Sequence, residues 1–162
     1  MNDNIDKINF NSKTLVFKNE PLSKHTTFGV GGNAHYLILP CNLKDTSMIF
    51  KSAYKKNIKI FLMGSGSNIL ASDEGYNGIV ISLKKVMNKI KFKEKEIYVQ
   101  AGAMLGTMVK QAISKGYKGF ESLIGVPGTV GGALIMNAGA HGSEISELFL
   151  NAKTIDKKGS IK

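Results

Sequence analysis

The segment from Gly125 to Glu144, GVPGTVGGALIMNAGAHGSE, places glycine at positions 125, 128, 131, 132, 139 and 142. Glycine at that density is usual in flexible linkers. A solvated linker, however, has no use for Val126, Val130, Leu134, Ile135 and Met136, which lie in the same segment. The combination demands a loop that is anchored on a core and still brings bare backbone close to something. On this reading the apolar run ALIM seats the loop. Gly125, Pro127, Gly128, Gly131 and Gly132 build two close-approach turns, and Asn137, Gly139 and Gly142 repeat the arrangement on the far side.

The rest of the chain must supply that core. Its 162 residues suffice for one domain or two small subdomains, and a hydrophobic fraction of 43% argues against wholesale disorder. No apolar run approaches the ~20 residues of a membrane helix, and the start, MNDNIDKINFNSK, lacks the pattern of a secretion signal. The single cysteine, Cys41, cannot close an internal disulfide, and a reducing, cytoplasmic setting follows. Cys41 itself reads as a small buried residue rather than a reactive thiol.

The net charge of +10 favours anionic partners. Yet the lysines are scattered or paired, no basic block interleaves with aromatics, and the chain has no arginine. Those features argue against a nucleic-acid surface. The three histidines show no metal-ligand spacing, so no metal site is expected.

HYLILP, residues 35–40, reads as a strand. Asn42 caps a helix whose Thr46, Ile49, Phe50 and Ala53 share one face, with Asn57 as its stop. KIFLMG, residues 59–64, reads as a buried strand, and GIVISL, residues 78–83, as another. KIKF and EIYVQAG are strands about a polar turn. Residues 104–116 form a helix with Leu105, Met108, Val109 and Ala112 inward and Gly116 as its end. Leu148 to Asp156 is a last strand candidate before the turn KKGS. The second arm of that hairpin has barely begun at Lys162, which reads as a chain that stops early, with a short natural tail as the alternative. A first subdomain over 1–84 and a second, incomplete one over 85–162 are expected.

GSGSNIL, residues 64–70, follows a strand directly. Glycine turns and neutral serine and asparagine donors suit a phosphate nest, although a simple tight turn explains them too. No Walker lysine follows, and the third glycine of a dinucleotide fingerprint is missing. Two glycine loops, one from each half, suggest an elongated dinucleotide held between them. Two unrelated sets of turns remain the alternative.

HTTFGVGG (residues 25–32), FLMGSGSNIL, GIVISL, VQAGA and GFESLIGVPGTVGGALIMNAGAHGSE occur in the order and spacing of one bacterial family. From about Leu22 onward the chain resembles the UDP-N-acetylenolpyruvoylglucosamine reductases, also called UDP-N-acetylmuramate dehydrogenases. The resemblance implies an α+β, FAD-binding fold of the vanillyl-alcohol-oxidase (PCMH) type, two α+β subdomains with the flavin between them. It assigns Gly64, Ser65, Gly66, Ser67, Asn68, Ile69 and Leu70 to the FAD pyrophosphate. Gly125, Pro127, Gly128, Thr129, Gly131, Gly132, Asn137, Ala138 and Gly139 fall to the ribityl and flavin side. It implies NADPH as co-substrate and reduction of the enolpyruvyl ether of a UDP-sugar for peptidoglycan synthesis, with no nucleic-acid or membrane partner.

Two departures stand out. His141 occupies a position where the family usually has tyrosine. The family's proton-donating serine, carboxylate and arginine all lie beyond the matched region, so no catalytic residue is assigned here, and Ser65, Ser67, Ser143 and Glu144 are not those residues. The alternatives are another flavin oxidase or dehydrogenase of the same fold, and a non-catalytic nucleotide-binding module.

Overall fold

The computed structural model describes residues 8–84 and 86–162. Its main sheet is built from β1 (Leu15–Pro21), β2 (Asn33–Leu39), β3 (Ile60–Met63) and β4 (Tyr76–Ser82), in the order β1-β2-β4-β3. β2, β4 and β3 run parallel, and β1 is an antiparallel edge. A helix, α1 (Leu43–Lys55), carries the chain from β2 to β3.

Local chemistry explains the boundaries of α1. The Asn42 side chain accepts a hydrogen bond from the Asp45 N–H at 2.8 Å, as a capping asparagine should. At the other end Asn57 is left-handed, φ 52°, and the Ile58 N–H reaches back to the Ala53 carbonyl at 2.9 Å. This 6→1 bond satisfies a carbonyl that the helix leaves without a partner. The expected face of Thr46, Ile49, Phe50 and Ala53 is buried.

β4 is an interior strand, paired with β2 on one side and β3 on the other. Ile79, Val80 and Ile81 are fully buried because each face of the sheet is covered. Ile79 and Ile81 pack with Tyr36, Ile38 and the apolar face of α1. Val80 packs on the other side with Leu22, Leu37 and Met63. The strand at 60–63 departs from expectation. Phe61 is 41% and Leu62 55% exposed, because β3 is the outer strand and only its β4 side is paired. An apolar run alone cannot tell an outer strand from an inner one.

Beyond Lys89 a second cluster forms. The hairpin of β5 (Ile90–Lys93) and β6 (Glu96–Val99) leads into α2 (Leu105–Ser114). Leu105, Met108, Val109 and Ala112 are buried as their spacing requires, together with Leu123, Val130, Ala133 and Ile145. α2 ends at Gly116, φ 79°, again with a 6→1 bond, from the Tyr117 N–H to the Ala112 carbonyl. The glycine-rich segment is not all loop. Val130–Ile135 form a short helix, α3, and a two-residue hairpin follows, β7 (Gly139–Ala140) with β8 (Ser143–Glu144). Only Ala133 and Leu134 of the ALIM run seat this segment, since Ile135 is 85% and Met136 62% exposed.

The strand expected over Leu148–Asp156 is absent. A 3-10 turn covers Ile145–Leu148, and the next contact of strand type is a lone bridge between Ile155 and Ile161. The turn KKGS does form, closed by the Asp156 N–H to the Ser160 carbonyl at 3.0 Å. Ile155 crosses back to pack on the first cluster, beside α1, and the Ser47 hydroxyl donates to the Gly159 carbonyl.

Candidate functional site

The loop after β3 and the loop before α3 meet. A Cβ placed on Gly64 would stand 2.6 Å from Thr129 Oγ1, so glycine is required for the two to touch. Ser65 and Ser67 hydroxyls lie 3.2 Å apart, and Ser67 Oγ makes a long contact, 3.5 Å, to the Pro127 carbonyl. The Cβ position of Gly128 faces both serines, at 3.6 and 4.0 Å. Thr129 is 1% exposed and caps α3, its Oγ1 accepting from the Gly132 N–H at 3.3 Å. Residues 64–67 and 127–129, far apart in sequence, thus form one seam.

On the first side of the seam, the backbone N–H groups of Ser65, Gly66, Ser67 and Asn68 have no acceptor among the described residues. Gly66 is left-handed, φ 76°. Consecutive N–H groups about a left-handed residue are a concave nest of partial positive charge, suited to phosphate oxygens. Ser65 and Gly66 are buried, Asn68 is exposed, and Ile69 reaches down to the β2–β4 face. Leu70 stands out of the loop, 78% exposed.

The second loop is more divided. Gly125 has open space where a Cβ would be. Gly131 does not: its Cβ position lies 2.8 Å from the Ala101 Cβ, and its N–H donates to the Ala101 carbonyl at 2.9 Å. Gly139 is packed likewise against the Ser143 carbonyl. Asn137 is the left-handed stop of α3, φ 46°, and its amide donates to Glu144. The Ala138 N–H closes the 6→1 bond to Ala133. These residues already have work inside the protein. Pro127 and Gly128 stand at the seam, Gly132 is tight against Thr129 with its Cβ position 3.3 Å from Oγ1, and Gly125 is open.

His141 is explained by the turn it occupies. With Gly142 it makes the tip between β7 and β8, at φ 54° and 84°. Histidine enters that left-handed region more readily than bulky residues do, and the side chain is exposed.

The groups with shifted titration lie away from the seam. A hydrogen bond to Glu96 pushes the Tyr98 phenol up, and burial raises Tyr76. Backbone donation from Ser160 holds Asp156 below the usual carboxylate range. Among the described residues no cluster of histidine, cysteine, aspartate and glutamate could hold a metal ion. No helix among them is long and apolar enough to cross a membrane.

The motif-level resemblance is borne out by known proteins. A reductase of Carboxydothermus hydrogenoformans, named UDP-N-acetylenolpyruvoylglucosamine reductase, is 37% identical over 148 residues, 91% of this chain and 49% of its own length. The protein of the same name from Caldicellulosiruptor bescii is 40% identical over 147 residues, 91% of this chain and 46% of its own. The chain therefore spans about half the length of the curated relatives it matches. Among solved structures, UDP-N-acetylenolpyruvylglucosamine reductase from Thermus caldophilus superposes with a TM-score of 0.72 at 28% identity, covering 93% of this chain and 51% of that one. The glucose dehydrogenase Phl p 4.0202 superposes at 0.66 with 14% identity, over 91% of this chain and 34% of its own, and shows the fold alone. These likenesses give the α+β FAD-binding fold of the vanillyl-alcohol-oxidase type. The family model described as FAD binding domain matches residues 34–162, and the chain belongs to that FAD binding domain family.

Proposed function

We propose that this chain is the flavin-binding part of a UDP-N-acetylenolpyruvoylglucosamine reductase, with Gly64–Leu70 on the FAD pyrophosphate and Gly125, Pro127, Gly128, Thr129, Gly131, Gly132, Asn137, Ala138 and Gly139 on the ribityl and flavin side. The observation that carries this is the seam where 64–67 meets 127–129, with unpartnered N–H groups along 65–68. The names of the relatives supply the substrate class. The whole protein would reduce UDP-N-acetylglucosamine enolpyruvate to UDP-N-acetylmuramate with NADPH, in the cytoplasm, for peptidoglycan synthesis. The chain would supply two subdomains, 1–84 and 85–162, with the cofactor between them.

The residues fit the group. Ser65–Asn68 would donate through the backbone, so that partial charges would hold the diphosphate with no lysine buried. A donor left without an acceptor on burial costs about 1–3 kcal/mol, which an oxygen of the ligand would recover. Ser65 and Ser67 hydroxyls can turn from each other to the same oxygens. Thr129, locked into α3, fixes how far the second loop stands from the first. FAD, once bound, supplies two-electron transfer between the nicotinamide and the enolpyruvyl group. No side chain here is assigned an acid or base role.

The direct test is titration of the purified chain with FAD, followed by absorption and gel filtration. Flavin that co-elutes with the folded chain is expected. A folded chain that stays colourless in excess FAD overturns the reading. Reductase activity is tested separately on the protein that carries the remaining half of the relatives' length, as NADPH consumption that requires the enolpyruvyl UDP-sugar.

A further inference from the structure

The motif HTTFGVGG, His25 to Gly32, has no role in the reading above, yet it lies directly behind the candidate cradle. The Thr27 N–H donates to the Gly66 carbonyl at 3.0 Å. A Cβ on Gly66 would fall 2.1 Å from the His25 carbonyl oxygen and 3.0 Å from Thr26 Cα. Further along, the Gly32 N–H donates to the Ser72 carbonyl at 2.8 Å. The two loops run side by side in backbone contact, and the peptide of Gly66 cannot rotate unless residues 25–27 move.

Residues 25–27 are themselves tied down. The His25 N–H donates to the Leu22 carbonyl at 2.8 Å, and Thr26 Oγ1 donates to the Val30 carbonyl at 2.9 Å. Among the described residues, the side-chain tie from 25–27 that reaches the sheet is His25 Nε2 to Glu20 Oε1, 3.0 Å, with both side chains mostly shielded, 26% and 18% exposed. Lys24 approaches the same carboxylate at 3.7 Å but is 65% exposed, where an ion pair is worth little.

We infer that His25–Gly32 is the positioning element of the 65–68 cradle, and that the His25–Glu20 contact sets its register on β1. Glu20 and His25 are positioning residues. They act on the cofactor only through the Gly66–Ser67 peptide, whose carbonyl is held by the Thr27 N–H and whose Ser67 N–H belongs to the cradle. This rests on the reading of Ser65–Asn68 as the pyrophosphate cradle.

The test compares the chain's affinity for FAD with that for riboflavin, which lacks the pyrophosphate, by flavin fluorescence. Wild type should prefer FAD. Glu20→Ala and His25→Ala should each weaken FAD about five-fold and leave riboflavin within two-fold. Glu20→Gln, which keeps an acceptor oxygen, should retain the preference, and the Glu20→Ala/His25→Ala pair should be no worse than either single. Should His25→Ala fail to fold, Glu20→Ala reads the same contact from β1. Unchanged FAD preference in the alanine variants, or equal loss of both ligands, overturns the positioning role alone. A wild type without preference for FAD overturns the cradle itself.

Discussion

Thr129 Oγ1 stands 2.6 Å from where a Cβ of Gly64 would be, and the same oxygen caps α3 through the Gly132 N–H. One buried hydroxyl therefore sets both the start of a helix in one cluster and the approach of a loop from the other. Gly64→Ala should destabilise the chain by about 1–3 kcal/mol in urea unfolding, because Thr129 cannot yield without losing its cap. Adding Thr129→Ala should recover part of that loss, a non-additivity that independent sites do not show.

Gly102 faces backbone alone. Its Cβ position lies 1.9 Å from the Leu83 carbonyl oxygen and 2.1 Å from that of Val86. Neither is the movable end of a side chain. Gly102→Ala should cost about 3 kcal/mol or more, exceeding Gly64→Ala. A midpoint shift smaller than that of Gly64→Ala would contradict the packing described.

Gly125 gives the opposite case. Nothing lies within 4 Å of its Cβ position, so Gly125→Ala should leave stability within about 0.5 kcal/mol of wild type. If this loop faces the flavin, the same variant should lose FAD affinity at least several-fold. A variant that is both stable and unimpaired in FAD binding removes Gly125 from the proposed site.

Asp156 holds the turn at 156–160, accepting from the Lys158 and Ser160 N–H groups at 2.9 Å with Lys162 nearby. Its folded pKa is depressed, chiefly by the Ser160 N–H. The contribution is therefore present above the unfolded value of an ordinary aspartate and is lost as pH falls through the lower, folded one. Protection of the Lys158 and Ser160 amides, the exchange rate relative to the intrinsic rate at the same pH, should fall as pH drops through that acid window and stay flat through neutrality. Asp156→Asn should remove the pH dependence.

Much of the frame was legible because its signals are local. Asn42 as cap, and Asn57 and Gly116 as stops, need only neighbours within a turn, and the buried faces of α1 and α2 follow from spacing. α3 was hidden because Gly131 and Gly132 are poor helix formers. Its existence depends on Thr129, Ala101 and the core around Ala133. The exposure of Leu62 and the missing strand at 148–156 turn on which neighbours pair, which no local pattern states. At the candidate site the two glycine loops could be picked out, but their glycines divide into two kinds. Gly64 and Gly131 make room for Thr129 and Ala101, whereas Gly125 opens outward, and only three-dimensional contacts separate these. The contact of His25 with Gly66 carried no sequence signal beyond an unassigned motif.

The return of Ile155 and Gly159 onto α1 has a consequence for the order of assembly. Ser47 and Gly159 are 112 residues apart, so a ribosome delivers the whole parallel sheet and the whole second cluster before α1 receives the cover of Ile155 and Gly159. Closing so long a span is slow compared with forming either cluster. Until residues 155–159 have emerged, the polypeptide therefore carries a solvent-facing flank on α1 beside Ile49 and Phe50. The turn at 156–160 is the one that completes the earlier half.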